Sequence, residues 1–309
     1  MNVKKFPSYI KKLVSNPWIL WPYLGGRGLL NWFPDSIYLK GCFRAYMGYR
    51  LDLKNPQTFN EKIQWLKLHD RKPEYTQMVD KYAVREYIAK TIGEEYLIPL
   101  LGVWDRFDEI DFDQLPDQFV LKCNHDSGTV VICKDKKTFD IDDARKKINA
   151  GLTRNFYYSA REWPYKNVKP KIIAEKYMVD ESGTELKDYK VFNFNGTPKL
   201  IQVDFGRFTE HKRNLYTLNW EYLNLSILYP TAPDIHIEKP RVLSELLSLS
   251  SQLSRNIPLL RTDFYIINEK IYLGELTFHH GAGYEPFYPQ DWNKIMGSWI
   301  ELSNEMEIE

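Results

Sequence analysis

Cysteine, net charge and long apolar runs are all scarce in this chain of 309 residues. Its three cysteines, Cys42, Cys123 and Cys133, are too few, and odd in number, for a disulfide framework. A reducing cytoplasm is therefore the expected compartment. Lys plus Arg number 42 against 41 Asp plus Glu. A near-neutral chain argues against a dedicated nucleic-acid binder, which needs a basic domain. No apolar run approaches the ~18 residues of a membrane span. The longest candidate, residues 18–23, is short and contains Pro22. Without a long apolar core or a small-residue cleavage site, it is not expected to act as a secretory signal. Internal repeats and low-complexity tracts are also missing.

What is present is the balance of a globular chain, with 43% hydrophobic and 27% charged residues. The length predicts about two domains. Aromatics reach 15% and are spread along the chain, the distribution expected of core filling. Charge is uneven. The first fifty residues hold eight basic side chains (Lys4, Lys5, Lys11, Lys12, Arg27, Lys40, Arg44, Arg50) against Asp35 alone. Phe6, Ile10, Leu13 and Val14 recur at helical spacing, with the lysines mostly on other faces. Such a helix either docks on the body or rests on an anionic membrane, which makes residues 1–24 a candidate peripheral contact.

Residues 57–98 read as helical. Phe59, Ile63, Leu66 and Leu68 form one stripe, with Thr58 and Asn60 as candidate caps, and Val79, Tyr82, Ala83, Tyr87 and Ile88 form a second. Gly93 is the expected stop. Beyond residue 98, strands are predicted over 119–121, 129–133, 171–178, 189–194, 199–205, 262–267 and 271–277. Asn195-Gly196 marks a hairpin between two of them. Helices are expected over 141–155 and over 240–256, the latter opened by Pro240. Strand runs with separate helices imply an α+β fold.

The most informative segment is RTDFYIINEKIYLGELTFHHGAG, residues 261–283. A turn of Asn268, Glu269 and Lys270 pairs residue 267 with 271 and sets Asp263 opposite Glu275, with Cβ atoms about 5 Å apart. Alternation places Arg261, Asp263, Glu275 and Thr277 on one face, and Phe264, Ile266, Tyr272, Leu276 and Phe278 on the packing face. Two facing carboxylates need an offsetting charge. A divalent cation would supply it, as would Arg261 or a shared proton. His279 and His280 are adjacent, so they point apart and do not suit one shared ion. Gly281 and Gly283 imply a tight or mobile loop.

Other segments carry charge where apolar residues dominate. In FVLKCNHDSGTVVICKD, residues 119–135, Lys122 ends a strand beside a small polar turn of residues 124–128 whose N–H groups suit a phosphate. An ordinary exposed hairpin is the plainer reading, and the P-loop spacing is absent. Glu175 interrupts an apolar strand, Lys190 and Asp188 share a strand face, and Arg207, Lys212 and Arg213 form a basic group. Asp111-Phe112-Asp113 and Asp140-Ile141-Asp142 have the Asp-x-Asp form that glycosyltransferases use to hold a metal-bound nucleotide diphosphate. Cys123 and Cys133 alone do not make a zinc site.

In order, FVLKCNHDSG, IIAEKYM, DYKVFNFNG and RTDFYIINEKIYLGELT resemble the ATP-grasp enzymes, above all the group named after a protein of teichuronopeptide biosynthesis, the TupA-like group. FNEKIQWLKLHDR and VDKYAVREYI extend the resemblance over about residues 55–290. It implies two α+β subdomains gripping ATP, over 99–178 and 179–309, behind a helical, basic and aromatic region over 1–98. It implies that Lys122 contacts the phosphates, with the loop bearing Asp126, Ser127 and Gly128 closing over them. Glu175 and the backbone of Lys176, Tyr177 and Met178 would bind adenine and ribose, and Lys190 the γ-phosphate. Asp263 and Glu275 would be Mg²⁺ ligands. Where most of these enzymes place Asn two residues after the Glu, this chain has Thr277, a poorer third ligand.

The activity so implied is ATP-dependent carboxylate–amine ligation through an acyl phosphate. Arg261, Arg207 and Arg213 are candidates to hold a carboxylate, and Gly281, Gly283 and residues 207–222 candidates for lids. The group's setting is surface polysaccharide, so the expected substrates are a carboxylate-bearing sugar or glycan and an amino acid or other amine, worked on in the cytoplasm near the inner face of the membrane. A glycosyltransferase, a sugar kinase on the same scaffold and a non-catalytic binding protein are the rival readings.

Overall fold

The computed structural model describes residues 15–183, 186–206 and 210–302. The basic helix expected around Phe6 to Val14 lies outside these residues, and so does Arg207.

Two antiparallel sheets organise the described chain. The smaller has the order β1-β4-β2-β3, built from Leu100–Trp104, Ile172–Lys176, Phe119–Cys123 and Val130–Cys133. Phe119, Leu121, Cys123, Val131 and Ala174 turn to one side, where Ala144 and Ile148 of the helix Ile141–Leu152 cover them. Alternation sends Val120, Lys122, Ile132, Ile173 and Glu175 to the other side.

The larger sheet has the order β11-β10-β5-β6-β7-β8. Its strands are Lys270–Thr277, Leu259–Ile267, Asp188–Phe194, Thr197–Phe205, Lys212–Tyr216 and Tyr222–Leu223. On one face Val191, Leu260 and Phe264 pack with Leu246, Leu249 and Leu253 of the helix Leu243–Leu253 and with Ile88 of the helix Val84–Thr91. The opposite face is divided. At one end Phe192, Phe194, Leu200, Leu215 and Leu259 lie under Phe59, Ile63 and Leu66 of the helix Phe59–His69 and Met296 of the helix Asp291–Ser298. The other end is polar and carries the site. A two-stranded ribbon, β12-β9, of Phe287–Tyr288 and Ser226–Ile227, completes the strands.

The Phe59–His69 helix begins where its sequence says it should. The Thr58 hydroxyl accepts from the Glu61 N–H at 3.2 Å, and the Glu61 carboxylate accepts from the Thr58 N–H at 3.0 Å. That capping box satisfies two otherwise orphaned donors. Asn60, the other candidate cap, is instead buried within the helix and donates to the Glu285 carbonyl at 3.0 Å. Thr58→Ala is expected to cost about 1 kcal/mol, seen in a melting curve as a Tm lower by about 2–4 °C.

Each predicted strand overlaps an observed one. Five were not expected: Leu100–Trp104, Lys212–Tyr216 and the two-residue strands Tyr222–Leu223, Ser226–Ile227 and Phe287–Tyr288. The second overturns the lid expected over 207–222: Arg213, Asn214, Leu215 and Tyr216 are buried in the sheet.

Candidate active site

The acidic hairpin reaches its expected pairing by an unexpected route. Its turn has two residues, Asn268 and Glu269, both at positive φ (49° and 61°). Ile267 therefore pairs with Lys270, one residue off the expected register. A bulge at Gly274 takes up the difference, and Asp263 again faces Glu275 while Arg261 faces Thr277. A Cβ on Gly274 would lie 2.9 Å from the Tyr265 ring and 3.2 Å from the Asp263 carbonyl oxygen, so the bulge needs its glycine. The slip changes the turn end of the hairpin. Ile271 and Leu273 pack in the core there, and Tyr272, expected on the packing face, turns away.

Across the sheet, register brings the charged residues into adjoining rows on one face. Glu275, Asp263, Lys190 and Gln202 form one row, and Asp188, Asp204 and Arg213 the next. Asp263 is 2% exposed. Lys190 Nζ lies 2.6 Å from Asp263 Oδ2, 3.7 Å from Asp204 Oδ2 and 3.9 Å from Asp188 Oδ2. Arg261 grips Asp263 with two N–H donors, both at 2.6 Å, and reaches Glu275 Oε1 at 3.3 Å and Thr277 Oγ1 at 3.1 Å. Arg261, with Lys190 on Asp263, thus offsets the facing carboxylates in this structure.

Electrostatics follow from burial and neighbours. Burial pushes Asp263 up, but the Arg261 and Lys190 charges outweigh it and hold the carboxyl well below the usual range. Burial alone would depress Lys190; the Asp188 and Asp263 carboxylates outweigh it and raise the ammonium's pKa. The guanidinium of Arg213 and the ammonium of Lys190 overcome burial at Asp204 and lower it.

Arg213 belongs to this network and not to a substrate pocket. It is 5% exposed, donates to Asp204 Oδ1 at 2.9 Å, and divides Nη1 between Glu285 and the Ile227 carbonyl, each at 2.8 Å. Its Nε and Nη1 donors, expected from sequence to hold a substrate carboxylate, are bonded here to groups of the fold. His280 closes the ring. Its Nδ1 accepts from Arg261 Nη1, and its Nε2 lies 3.0 Å from Glu285 Oε2. Burial lowers its pKa, which favours the neutral ring that this acceptor role requires. His279 instead faces Glu162 at 3.5 Å, so the two histidines do point apart.

The turn of residues 281–283 is pinned, not lid-like. Lys67, fully buried, donates to the Ala282 carbonyl at 2.7 Å, and Gln64 to the Gly283 carbonyl at 3.1 Å. A Cβ on Gly283 would lie 2.3 Å from Gln64 Nε2.

On the smaller sheet Lys122 Nζ and Glu175 Oε2 pair at 2.6 Å, which accounts for an acid in an apolar strand. The small loop is braced from behind. Asn124 donates to Asp80 Oδ1 at 2.8 Å and accepts from the Lys171 N–H at 2.6 Å, while Lys81 donates to the Asp126 carbonyl. Asp126 is buried and bonded by the Thr129 hydroxyl, and Ser127 and Gly128 form the exposed tip, with Gly128 at φ 105°. Lys176 closes β4, with its N–H on the Pro99 carbonyl at 3.0 Å, and Tyr177 and Met178 follow without regular structure.

Sequence reasoning missed Asp204 and Gln202, although they alternate on the expected strand over 199–205, and Glu285, which lies in a loop where no periodicity marks it. It also missed Tyr165. Burial, then the Glu162 and Glu275 carboxylates, push its hydroxyl well up, and Asp126 acts in the same sense. The Asp-x-Asp pairs are helix caps. Asp111 accepts from the Asp113 N–H at 3.0 Å, and Asp140 from the Asp143 N–H at 2.9 Å. Cys123 and Cys133 are buried and free, and among the described residues no group of three His, Cys, Asp or Glu side chains is arranged to hold a metal ion.

No curated protein matches this chain. Several solved structures resemble it distantly. They include D-alanine–D-alanine ligase from Bacillus anthracis complexed with ATP (13% identity, TM-score 0.39, 65% of this chain and 54% of that one). N5-carboxyaminoimidazole synthetase from Staphylococcus aureus complexed with ADP gives 15%, 0.40, 72% and 52%. L-amino acid ligase from Bacillus licheniformis gives 15%, 0.45, 81% and 58%. The chain thus spans little more than half the length of each. The family model described as TupA-like ATP-grasp matches residues 61–301, which include the Lys122 loop, both charged rows and the acidic hairpin. The chain belongs to the TupA-like ATP-grasp family.

Proposed function

We propose that this protein is an ATP-dependent carboxylate–amine ligase. The observation that carries the reading is the Glu275–Asp263–Lys190 row with Arg261 beside it, on one buried sheet face. Asp263, Glu275 and the Thr277 hydroxyl are an all-oxygen set, the kind Mg²⁺ takes when phosphate oxygens complete its shell. Those residues would hold the ion, and its charge would help offset that of the nucleotide phosphates.

The chain's own groups supply the rest. Lys122 and the backbone N–H groups at Ser127 and Gly128 hold phosphates. Glu175 and the backbone of Lys176–Met178 hold the base and ribose. Lys190 meets the γ-phosphate. A substrate carboxylate oxygen attacks the γ-phosphorus and ADP leaves. The amine then attacks the acyl carbon, phosphate departs, and the nitrogen gives up a proton. Arg261, positioned by His280, faces the charge that develops in both steps. Burial of the site limits hydrolysis of the acyl phosphate. The substrates that fit the family's setting are a uronic acid or other sugar and an amino acid, joined as an amide during surface-polysaccharide synthesis.

The test begins with thermal stability in Mg²⁺–ATP and, in parallel, Mn²⁺–UDP. ATP at about 100 times its dissociation constant stabilises by roughly 2.7 kcal/mol, or about 5–10 °C. Lys122→Met is expected to remove most of that shift. Uronic acids and amino acids are then screened for release of ADP with free phosphate. A shift with UDP alone, or phosphate appearing on the sugar, would refute ligation.

A further inference from the structure

The N-terminal helices present a surface that the catalytic reading leaves unused. Seventeen large hydrophobic side chains are exposed among the described residues, and nine of them fall between Trp18 and Tyr49. Trp18, Tyr23, Leu29, Trp32, Ile37 and Tyr46 are 46%, 54%, 58%, 77%, 46% and 57% exposed. A groove of about 280 Å³ runs between the helices Leu20–Gly25 and Asp35–Met47, lined by Ile19, Pro22, Tyr23, Ala45 and Tyr46. The helices themselves are firmly seated. Trp21 Nε1 donates to the Tyr38 carbonyl at 2.9 Å, and Tyr38 and Cys42 pack inward with Leu30 and Tyr284. The exposed rings are therefore fixed in place and not side chains left over from a loose segment.

The exposed charged side chains between residues 15 and 50 are all basic. Arg27, Lys40 and Arg50 are exposed, and Asp35 is the one acidic residue in the first fifty. Asp35 does not face outward. It accepts from Arg71 Nη2 at 2.7 Å and from the Tyr157 hydroxyl at 2.6 Å, and lies 3.4 Å from Arg161 Nε. The inward ion cluster thus occupies the one acidic side chain of the first fifty residues. Four further lysines, Lys4, Lys5, Lys11 and Lys12, precede it in sequence.

We infer that this face docks on an anionic lipid bilayer. Trp and Tyr rings have an apolar body and a polar edge, which matches the headgroup–acyl boundary. Basic side chains without a competing carboxylate match the negative surface potential. Neither signal alone gives stable attachment, and the two together do. The inner side of the same helices touches Tyr284, next to Glu285 of the charged network. Docking would therefore set the active site close to the membrane surface.

The experiment is flotation of the full chain with vesicles of phosphatidylglycerol and phosphatidylcholine in equal parts, and with phosphatidylcholine alone. The protein is expected to float with the anionic vesicles, to stay behind with the neutral ones, and to be released by 0.5 M NaCl. Trp18→Ser with Trp32→Ser, and separately Lys40→Glu with Arg50→Glu, are each expected to lower the partition coefficient at least about tenfold. The thermal shift with Mg²⁺–ATP should be unchanged in both variants. Absence of flotation with anionic vesicles overturns the inference, as does equal flotation of wild type and both variants. Sedimentation is the remaining arm. A dimer that Trp32→Ser disperses, with no vesicle capture, would assign the face to a second copy of the chain and overturn the bilayer.

Discussion

Glu275→Gln is expected to lower kcat by about 10²–10³ while leaving Tm within a degree or two. The loss follows from the side chain's place. It sits across from Asp263 and would serve both the ion and the phosphates, so the neutral amide removes charge stabilisation where charge builds up. Stability is spared because the Glu275 side chain is 39% exposed and its ion pair to Arg261 is a long 3.3 Å. A long pair whose carboxylate keeps its access to water contributes little to folding. Steady-state release of phosphate, alongside a melting curve, checks both halves. Near-normal turnover in Glu275→Gln would sink the metal role.

Asp263→Asn should behave differently, and the contrast tests the geometry. From sequence the two acids look equivalent, so both would be expected to leave melting nearly unchanged. The structure separates them. Asp263 is buried, and its two oxygens take two donors from Arg261 and one from Lys190, all at 2.6 Å. Asparagine leaves two buried cations short of a counter-charge, and breaking a buried pair from one side costs about 3–5 kcal/mol. Activity should vanish and Tm should fall by roughly ten degrees. An inactive Asp263→Asn protein with unchanged Tm would show that Arg261 and Lys190 find other partners, against the network described here.

Much of the fold was legible because burial follows alternation in strands and a 3.6-residue stripe in helices. Phe59, Ile63 and Leu66 face the core as their spacing demands, and Thr58 caps as its chemistry demands. The site was legible where charge stood out against an apolar strand, as at Lys122, Glu175, Lys190 and Asp263. It was not legible where partners come from distant strands. Arg213 looks like a surface arginine until β7 takes its place in the sheet and Asp204 and Glu285 claim the guanidinium. The pairing of Lys122 with Glu175, 53 residues apart, has the same character. The hairpin shows a subtler limit. Its essential pair was read correctly through a wrong turn, because a two-residue turn and a bulge cancel, and no periodicity reports that cancellation.

That cancellation separates two parts of one hairpin. Between Gly274 and the Asn268-Glu269 turn, the strands pair one residue out of step with the pairing at the acids, and the bulge restores the step before Asp263 and Glu275. The tip itself, residues 268–270, is exposed and touches neither acid. The constraint on the site lies at the glycine, not at the tip. A residue inserted between Asn268 and Glu269 should be tolerated, whereas a side chain at Gly274 would push on the Tyr265 ring and the Asp263 backbone and carry the disturbance straight to the reaction centre.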